Sequence, residues 1–187
     1  MAIRQEAQRL LDFSSRVYGI SGPPVDPAAL IEKWGKMRGD GFLEHPCYKI
    51  VGDRELPGRA AEFQPRPGGT PEEEDGRHIF IFRESVWDLA SAGDPEARET
   101  LAHEIGHCVM RHPPINHART YKDERVDWQT DSEWQANKFR DEFLVDSRGV
   151  QAKDSWGVIA NIYNVTEETA VRLVREFMNE RLEKKRR

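Results

Sequence analysis

Two histidines, His103 and His107, stand four residues apart in the segment ETLAHEIGHCVM, and Glu104 directly follows the first. This is an H-E-x-x-H arrangement. On a helix, histidines at this spacing direct two imidazole nitrogens at one tetrahedral metal ion. Zinc makes a coordinated water more acidic, so a neighbouring carboxylate can take its proton while the oxygen attacks a carbonyl. The motif therefore predicts a zinc-dependent hydrolase in which Glu104 is the general base.

The flanking residues indicate that this motif lies on a helix. Asp94 followed by Pro95 is typical of a helix start, and the prolines after the motif end it, because a proline disfavours helix in the residue before it. The two histidines lie opposite an apolar stripe, which favours a ligand role over burial in a core. Gly106 leaves room for another segment to approach closely. The apolar stripe consists of Leu101, Ala102, Ile105, Cys108 and Val109.

Other side chains near the motif have metal-binding or catalytic chemistry. Cys108 is a possible soft ligand, but its place on the apolar stripe favours packing. His112 and His117 follow the helix as candidate ligands or substrate contacts, although ordinary loop histidines are the favoured interpretation. Tyr121, His112 and His117 are the candidates for stabilising an oxyanion.

A catalytic zinc ion normally has three protein ligands and one open position, so a third ligand is needed. The chain lacks the third histidine that metzincins have a short distance after the motif, because Pro113 occupies that position. On the helix predicted from residue 131, Glu133 shares a polar face with Asn137 and can meet a partner helix. Thr130 and Glu133 also have the T-x-x-E spacing of a capping box. Both roles of Glu133 remain open at this point.

The segments before the motif helix predict two helices at the amino terminus. Apolar residues at helical spacing predict the first helix over residues 3–17, which Gly19 ends. Asp26 caps a second helix over residues 27–34, and Gly35 closes it.

Residues 36–83 contain short apolar runs separated by turns and predict a small sheet of three or four strands. The Pro-, Gly- and Glu-rich segment 65–76 predicts a loop. Two further helices are expected near 154–163 and 167–182. The fold class is therefore α+β and mostly helical; if Glu133 is the third ligand, the motif helix faces a second ligand-bearing helix across the metal.

The chain of 187 residues predicts one main domain, residues 1–150, with a packed helical extension at 151–187. The basic end, 181–187, is expected to be a frayed tail. A formal charge of −5 argues against broad affinity for nucleic acid.

Cys47 and Cys108 form no disulfide framework, which favours free thiols in a reducing compartment. No apolar run has the length of a signal peptide core or a membrane span, so we expect no membrane association and a cytoplasmic location.

The segments HEIGH and EWQANKFRDEFLVD together resemble the ImmA/IrrE family of metallo-endopeptidases, whose pattern is HE-x-x-H followed by E-x-x-A-N-x-F-A-x-x-L-L-x-P. The segment PPVDPAALIEKWG also resembles an amino-terminal helix of that family. Departures are Arg140, Phe143 and Asp146, which stand where the family has alanine, leucine and proline; they leave every ligand intact. The second motif matches at Glu133, Ala136, Asn137, Phe139 and Leu144.

The resemblance implies a zincin-like fold in which His103, His107 and Glu133 bind zinc and Glu104 is the general base. It also implies an intracellular protease that cleaves a helix-turn-helix repressor in a stress or mobile-element circuit. Zincins bind substrate along an edge strand beside the metal, and HIFIF, residues 78–82, is the candidate for that strand.

Two other functions compete with the protease. Residues 156–176 have the length and pattern of a helix-turn-helix, but Glu167 and Glu168 make the start of the second helix acidic, which disfavours a DNA reader. The alternative is a DNA-binding protein or a zinc-binding sensor without robust protease activity. Intact Glu104 argues against lost catalysis, although the 65–76 loop could gate it. The segments 72–75 and VDWQTDSE look particular to this chain, so the resemblance does not determine the choice of substrate.

Overall fold

The computed structural model describes residues 2–36, 47–65, 78–110, 112 and 131–186. Within these ranges the chain is mostly helical and forms a three-stranded mixed sheet, which confirms the α+β class. The elements are α1 Ala2–Phe13 followed by a π-helical turn Ser14–Tyr18, α2 Pro27–Lys36, β1 Cys47–Val51, β2 Ala61–Pro65, β3 His78–Arg83, α3 Glu84–Ser91, α4 Pro95–Val109, α5 Ser132–Leu144, α6 Trp156–Tyr163 and α7 Glu167–Arg186.

Both amino-terminal helices form as predicted, with one difference at the end of α2. Asp26 accepts a hydrogen bond from the Ala29 N–H at 3.1 Å, as a cap should. The expected stop at Gly35 is wrong, because α2 continues to Lys36. A Cβ at Gly35 would lie 2.8 Å from the Tyr48 ring. The glycine therefore permits the close approach of β1 and does not end the helix.

The sheet has the order β1-β3-β2, in which β1 pairs parallel and β2 antiparallel with β3. The prediction that residues 78–82 form the edge strand is therefore wrong, since β3 is central. Its nearly unbroken apolar sequence suits a strand whose two faces are both at least partly covered, as Phe80 and Phe82 are buried and Ile79 and Ile81 half-buried. Among the described strands, β2 forms the edge that approaches α4.

One face of β3 carries the aromatic core. Phe80 and Phe82 are fully buried. The Phe80 ring stacks on Trp34 of α2, and the Phe82 ring packs against Trp87 of α3. Helix α3 was not predicted, because it begins directly after β3 with neither glycine nor proline to mark the change. It packs on α4 and so supports the back of the motif helix.

The motif helix α4 begins as predicted: Asp94 caps it by accepting from the Ala97 N–H at 2.9 Å, and Pro95 occupies the first turn. Helix α5 crosses α4 at Gly106, where an added Cβ would lie 3.0 Å from the Ala136 carbonyl oxygen and 3.1 Å from its Cα. Gly106 therefore lets the two helix backbones meet, as the sequence indicated.

The last two helices are joined to α4 through a buried acid. Glu99 accepts hydrogen bonds from the Thr166 N–H and hydroxyl, both at 2.8 Å, and from the Thr169 hydroxyl at 2.9 Å. Residues from 1–150 and from 151–187 contribute to the same hydrophobic core.

The expected frayed basic tail is wrong as far as Arg186, since α7 continues to that residue. None of the described helices combines the length and apolar character needed to cross a membrane.

The contact at Gly106 predicts a specific stability defect. Gly106→Val should lower the free energy of unfolding by about 1–3 kcal/mol, because neither backbone can move aside cheaply. Gly157→Val is the matched control: Gly157 is also helical, but nothing lies within 4 Å of its added Cβ. Urea unfolding of the metal-free proteins measures both. Equal effects of the two substitutions would contradict the close approach.

Candidate metal centre

Three side chains from two helices direct donor atoms at one point. His103 and His107 project from successive turns of α4, and Glu133 projects from the first turn of α5. The two Nε2 atoms lie 3.0 Å apart. Glu133 places Oε2 3.3 Å from Nε2 of His103 and Oε1 3.5 Å from Nε2 of His107. This group is close enough to hold a metal ion.

The separations of these donor atoms are in the range of a tetrahedral site. Ligands bound to zinc at about 2.0–2.1 Å with tetrahedral angles lie roughly 3.3 Å from one another. The two Nε2 atoms are 3.0 Å apart, and they lie 3.3 and 3.5 Å from different oxygens of the Glu133 carboxylate. The donor set of two imidazoles and one carboxylate thus fits a metal ion, and His107 is buried while the Glu133 side chain is 48% exposed.

The structure distinguishes helix capping from a position beside the histidines, the two roles that were open for Glu133. The N-cap of α5 is Asp131, whose Oδ1 accepts from the Glu133 N–H at 2.9 Å. Glu133 is then the second helical residue, whereas a capping box requires the third. Thr130 lies outside the described residues. The carboxylate of Glu133 therefore lies beside the histidines while another residue caps the helix.

A neighbouring amide determines the proton position on His103. Oδ1 of Asn137, one turn after Glu133 on α5, lies 3.1 Å from Nδ1 of His103. An amide oxygen only accepts, so Nδ1 carries the proton and Nε2 keeps its lone pair for a metal. The sequence places Asn137 on the ligand face of α5 but assigns it no role.

Glu104 lies between α4 and the edge strand β2. Its side chain is buried, and the backbone N–H of Phe63 donates to its carboxylate. Burial raises the pKa of Glu104 to about 7; His103 opposes this shift, and the negative charge of Glu133 adds to it. A carboxyl that titrates near neutrality suits general acid–base catalysis. No sequence pattern reveals the bond from Phe63, because any residue can supply a backbone N–H.

A cavity of about 280 Å³ opens over these groups. It contains His103, Glu104, His107 and Glu133, and residues 59–63 at the start of β2 form its opposite wall. A larger polar groove of about 1060 Å³ lies between α4, α5 and α7 but shares only His103 with this group. The smaller cavity is therefore the one that brings the candidate metal donors and Glu104 together.

Three further predictions concern residues around the centre. Cys108 is buried in the core, and burial raises the pKa of its thiol, which confirms packing over ligation. His112 was interpreted as an ordinary loop histidine, and this is wrong: its ring is buried and lies 2.9 Å from that of His107. His117 and Tyr121 lie outside the described residues, as does most of the 65–76 loop.

Comparison of the chain with models of known protein families and with curated proteins finds no match. The resemblance to the ImmA/IrrE family thus depends on the motif residues alone. His103, Glu104, His107 and Glu133 do come together.

Separate variants should distinguish ligation by Glu133 from capping by Asp131. Glu133→Gln should weaken zinc binding by more than the roughly 10–100-fold loss typical of a supporting partner, with little change in metal-free stability. Asp131→Ala should lower the free energy of unfolding by about 1 kcal/mol and leave zinc affinity near that of the wild type. Chelator competition and urea unfolding measure the two effects. Unchanged zinc affinity in Glu133→Gln would remove Glu133 from the ligand set.

Proposed function

We propose that this chain is a zinc-dependent endopeptidase that cleaves a protein partner by adding water across a peptide bond. The supporting observation is the juxtaposition of a His-His-Glu group close enough to hold a metal ion with the buried carboxyl of Glu104 in one cavity beside a sheet edge. Neither the donor group, nor the buried carboxyl, nor the sheet edge is by itself specific to a hydrolase. Their combination in one open cavity favours hydrolysis of an extended substrate.

Zinc is the metal that this donor set favours. Two imidazoles and one carboxylate form a known three-ligand set of catalytic zinc sites, and they leave one position open. When bound, zinc supplies Lewis acidity that polarises a carbonyl oxygen and makes water a nucleophile near neutral pH. His103, His107 and Glu133 would hold it.

Glu104 is proposed to move the proton in the reaction. As the water oxygen attacks the peptide carbon, Glu104 accepts a proton from the water and later gives it to the departing amine nitrogen. The Phe63 N–H fixes the carboxylate on the cavity side of α4. The burial that raises its pKa also makes it a better proton acceptor than an exposed glutamate.

Strand β2 is the proposed site of substrate backbone binding. The Arg83 N–H donates to the Ala60 carbonyl at 3.2 Å, so Ala60 and, two residues on, Glu62 turn their backbone groups toward β3. Ala61 and Phe63 consequently turn theirs toward the outer edge. The bond from Phe63 to Glu104 agrees with this alternation. A substrate strand that pairs with Ala61 would pass beside Glu104 and the metal donors.

The proposed substrate is a helix-turn-helix repressor, and this part of the proposal depends on the resemblance to ImmA/IrrE peptidases and their zincin-like fold. Such a role also implies a cytoplasmic location. Direct DNA binding is less well supported, because Glu167 and Glu168 begin α7 and the preceding turn is bonded to Glu99 on α4. A partner protein therefore suits the chain better than a phosphate backbone.

Removing the proposed general base should abolish hydrolysis without releasing the metal. Glu104→Gln should lower kcat by about 10²–10⁴-fold at unchanged zinc content, because an amide does not accept the proton. Glu96→Gln, an exposed change on the same helix, should keep full activity. Cleavage of a fluorogenic peptide library by zinc-loaded protein measures both. Wild-type activity in Glu104→Gln would contradict the assigned role.

The sheet edge generates a second prediction. Ala61→Pro removes an outward N–H and should lower kcat/KM roughly 3–10-fold, the effect of one main-chain hydrogen bond, while the fold and zinc content persist. Glu62→Pro removes an N–H that faces β3 and should instead lower thermal stability. Steady-state kinetics and thermal unfolding distinguish them. An unaltered kcat/KM in Ala61→Pro would place the substrate elsewhere.

A further inference from the structure

His112 follows the motif helix, yet its ring returns to the metal centre. The His112 N–H donates to the His107 carbonyl at 3.0 Å, which holds residue 112 against the last turn of α4. Nδ1 of His112 lies 2.9 Å from Nδ1 of His107. The His112 side chain is only 7% exposed. It contacts the ring nitrogen of His107 that does not face Glu133.

The other nitrogen of His112 meets Gln135 from α5. Nε2 of His112 lies 2.8 Å from Oε1 of Gln135. Gln135, His112 and His107 therefore form a continuous chain of polar contacts from α5 to a proposed metal ligand. Asn137, also on α5, contacts Nδ1 of His103 directly, without an intermediate residue. Each histidine of the motif is therefore supported from α5 through its Nδ1.

The proton positions along this chain follow from the amide oxygen. Oε1 of Gln135 accepts, so Nε2 of His112 carries a proton and donates it. In a neutral imidazole Nδ1 of His112 then has a lone pair and accepts from Nδ1–H of His107. Nε2 of His107 consequently keeps its lone pair and points toward Nε2 of His103 and Glu133. The reverse order would place a proton on Nε2 of His107 and exclude it as a ligand.

We propose that Gln135 and His112 form a hydrogen-bonded relay that holds His107 in the tautomer and orientation required for binding metal through Nε2. Both are positioning residues, and the inference rests on the proposed zinc site. No proton is gained or lost along the relay; only the place of each proton is fixed. Such supporting partners orient metal-binding histidines and increase their basicity.

The relay gives α5 two connections to the metal centre. Glu133 supplies a donor atom directly, and Gln135, two residues later, acts through His112. Displacement of α5 from α4 would therefore loosen a ligand and the support of another ligand together. The contacts also satisfy both ring nitrogens of the buried His112, where an unsatisfied imidazole would be costly.

The test measures zinc affinity of the full-length protein by chelator competition in the wild type, His112→Leu and His112→Gln. Leucine fills the buried space without an acceptor, whereas glutamine offers an amide oxygen to Nδ1–H of His107. We expect His112→Leu to weaken zinc binding about 10–100-fold and His112→Gln to restore most of that loss. Equal affinities in all three proteins, or equal losses in both variants, would overturn the relay.

Long-range ¹⁵N–¹H spectra of the wild-type histidine rings give a second measurement that does not depend on how a variant folds. The relay predicts protons on Nδ1 of His107 and Nε2 of His112, and an unprotonated Nδ1 of His112. A proton on Nδ1 of His112 would overturn it even if zinc binds. A wild-type protein that binds no zinc would instead refute the proposed metal site, so the two failures are distinguishable.

Discussion

The close crossing of α4 and α5 at Gly106 is the constraint on which the site depends. The backbone of Ala136 lies where any larger side chain on α4 would project. One turn before that crossing, Glu133 reaches both histidine Nε2 atoms; one residue beyond Ala136, Asn137 reaches His103. A wider separation of the helices would move these contacts out of reach together. The metal donors are thus assembled by backbone proximity, and Asp94 and Asp131 ensure that each helix begins in the required register.

The sheet completes the site from the other side. Strand β3 is paired on both edges and buries Phe80 and Phe82 against the helices, which fixes the sheet relative to α4. Strand β2 then presents the Phe63 N–H to Glu104, so the same edge that is proposed to bind substrate also orients the proposed base. Burial of Glu104 has an electrostatic cost that an exposed residue would avoid. The Phe63 hydrogen bond offsets this cost. The same burial gives Glu104 a pKa near neutrality.

Much of this arrangement follows from local patterns. The spacing of His103, Glu104 and His107 and the Asp-Pro start predict the motif helix α4. The absence of a side chain at Gly106 predicts its close neighbour. Contacts between residues far apart in the sequence were harder to predict. The central place of β3 depends on strand order, which a single apolar run does not reveal, and α3 begins without a punctuating residue. The buried role of His112 depends on its ring contacts with His107 and Gln135, which its sequence position just after α4 does not reveal. Glu133 was ambiguous because its spacing from Thr130 also fits a capping box at the start of its own helix.

Zinc K-edge X-ray absorption of the reconstituted full-length protein tests the central claim most directly, because it identifies the ligand atoms. The account predicts about one zinc ion per chain with two imidazole nitrogens and otherwise oxygen ligands, all at roughly 2.0–2.2 Å. It predicts no sulfur, since Cys108 lies in the core. A sulfur ligand at about 2.3 Å, a third imidazole, or a folded chain that takes up no zinc would contradict the site formed by His103, His107 and Glu133.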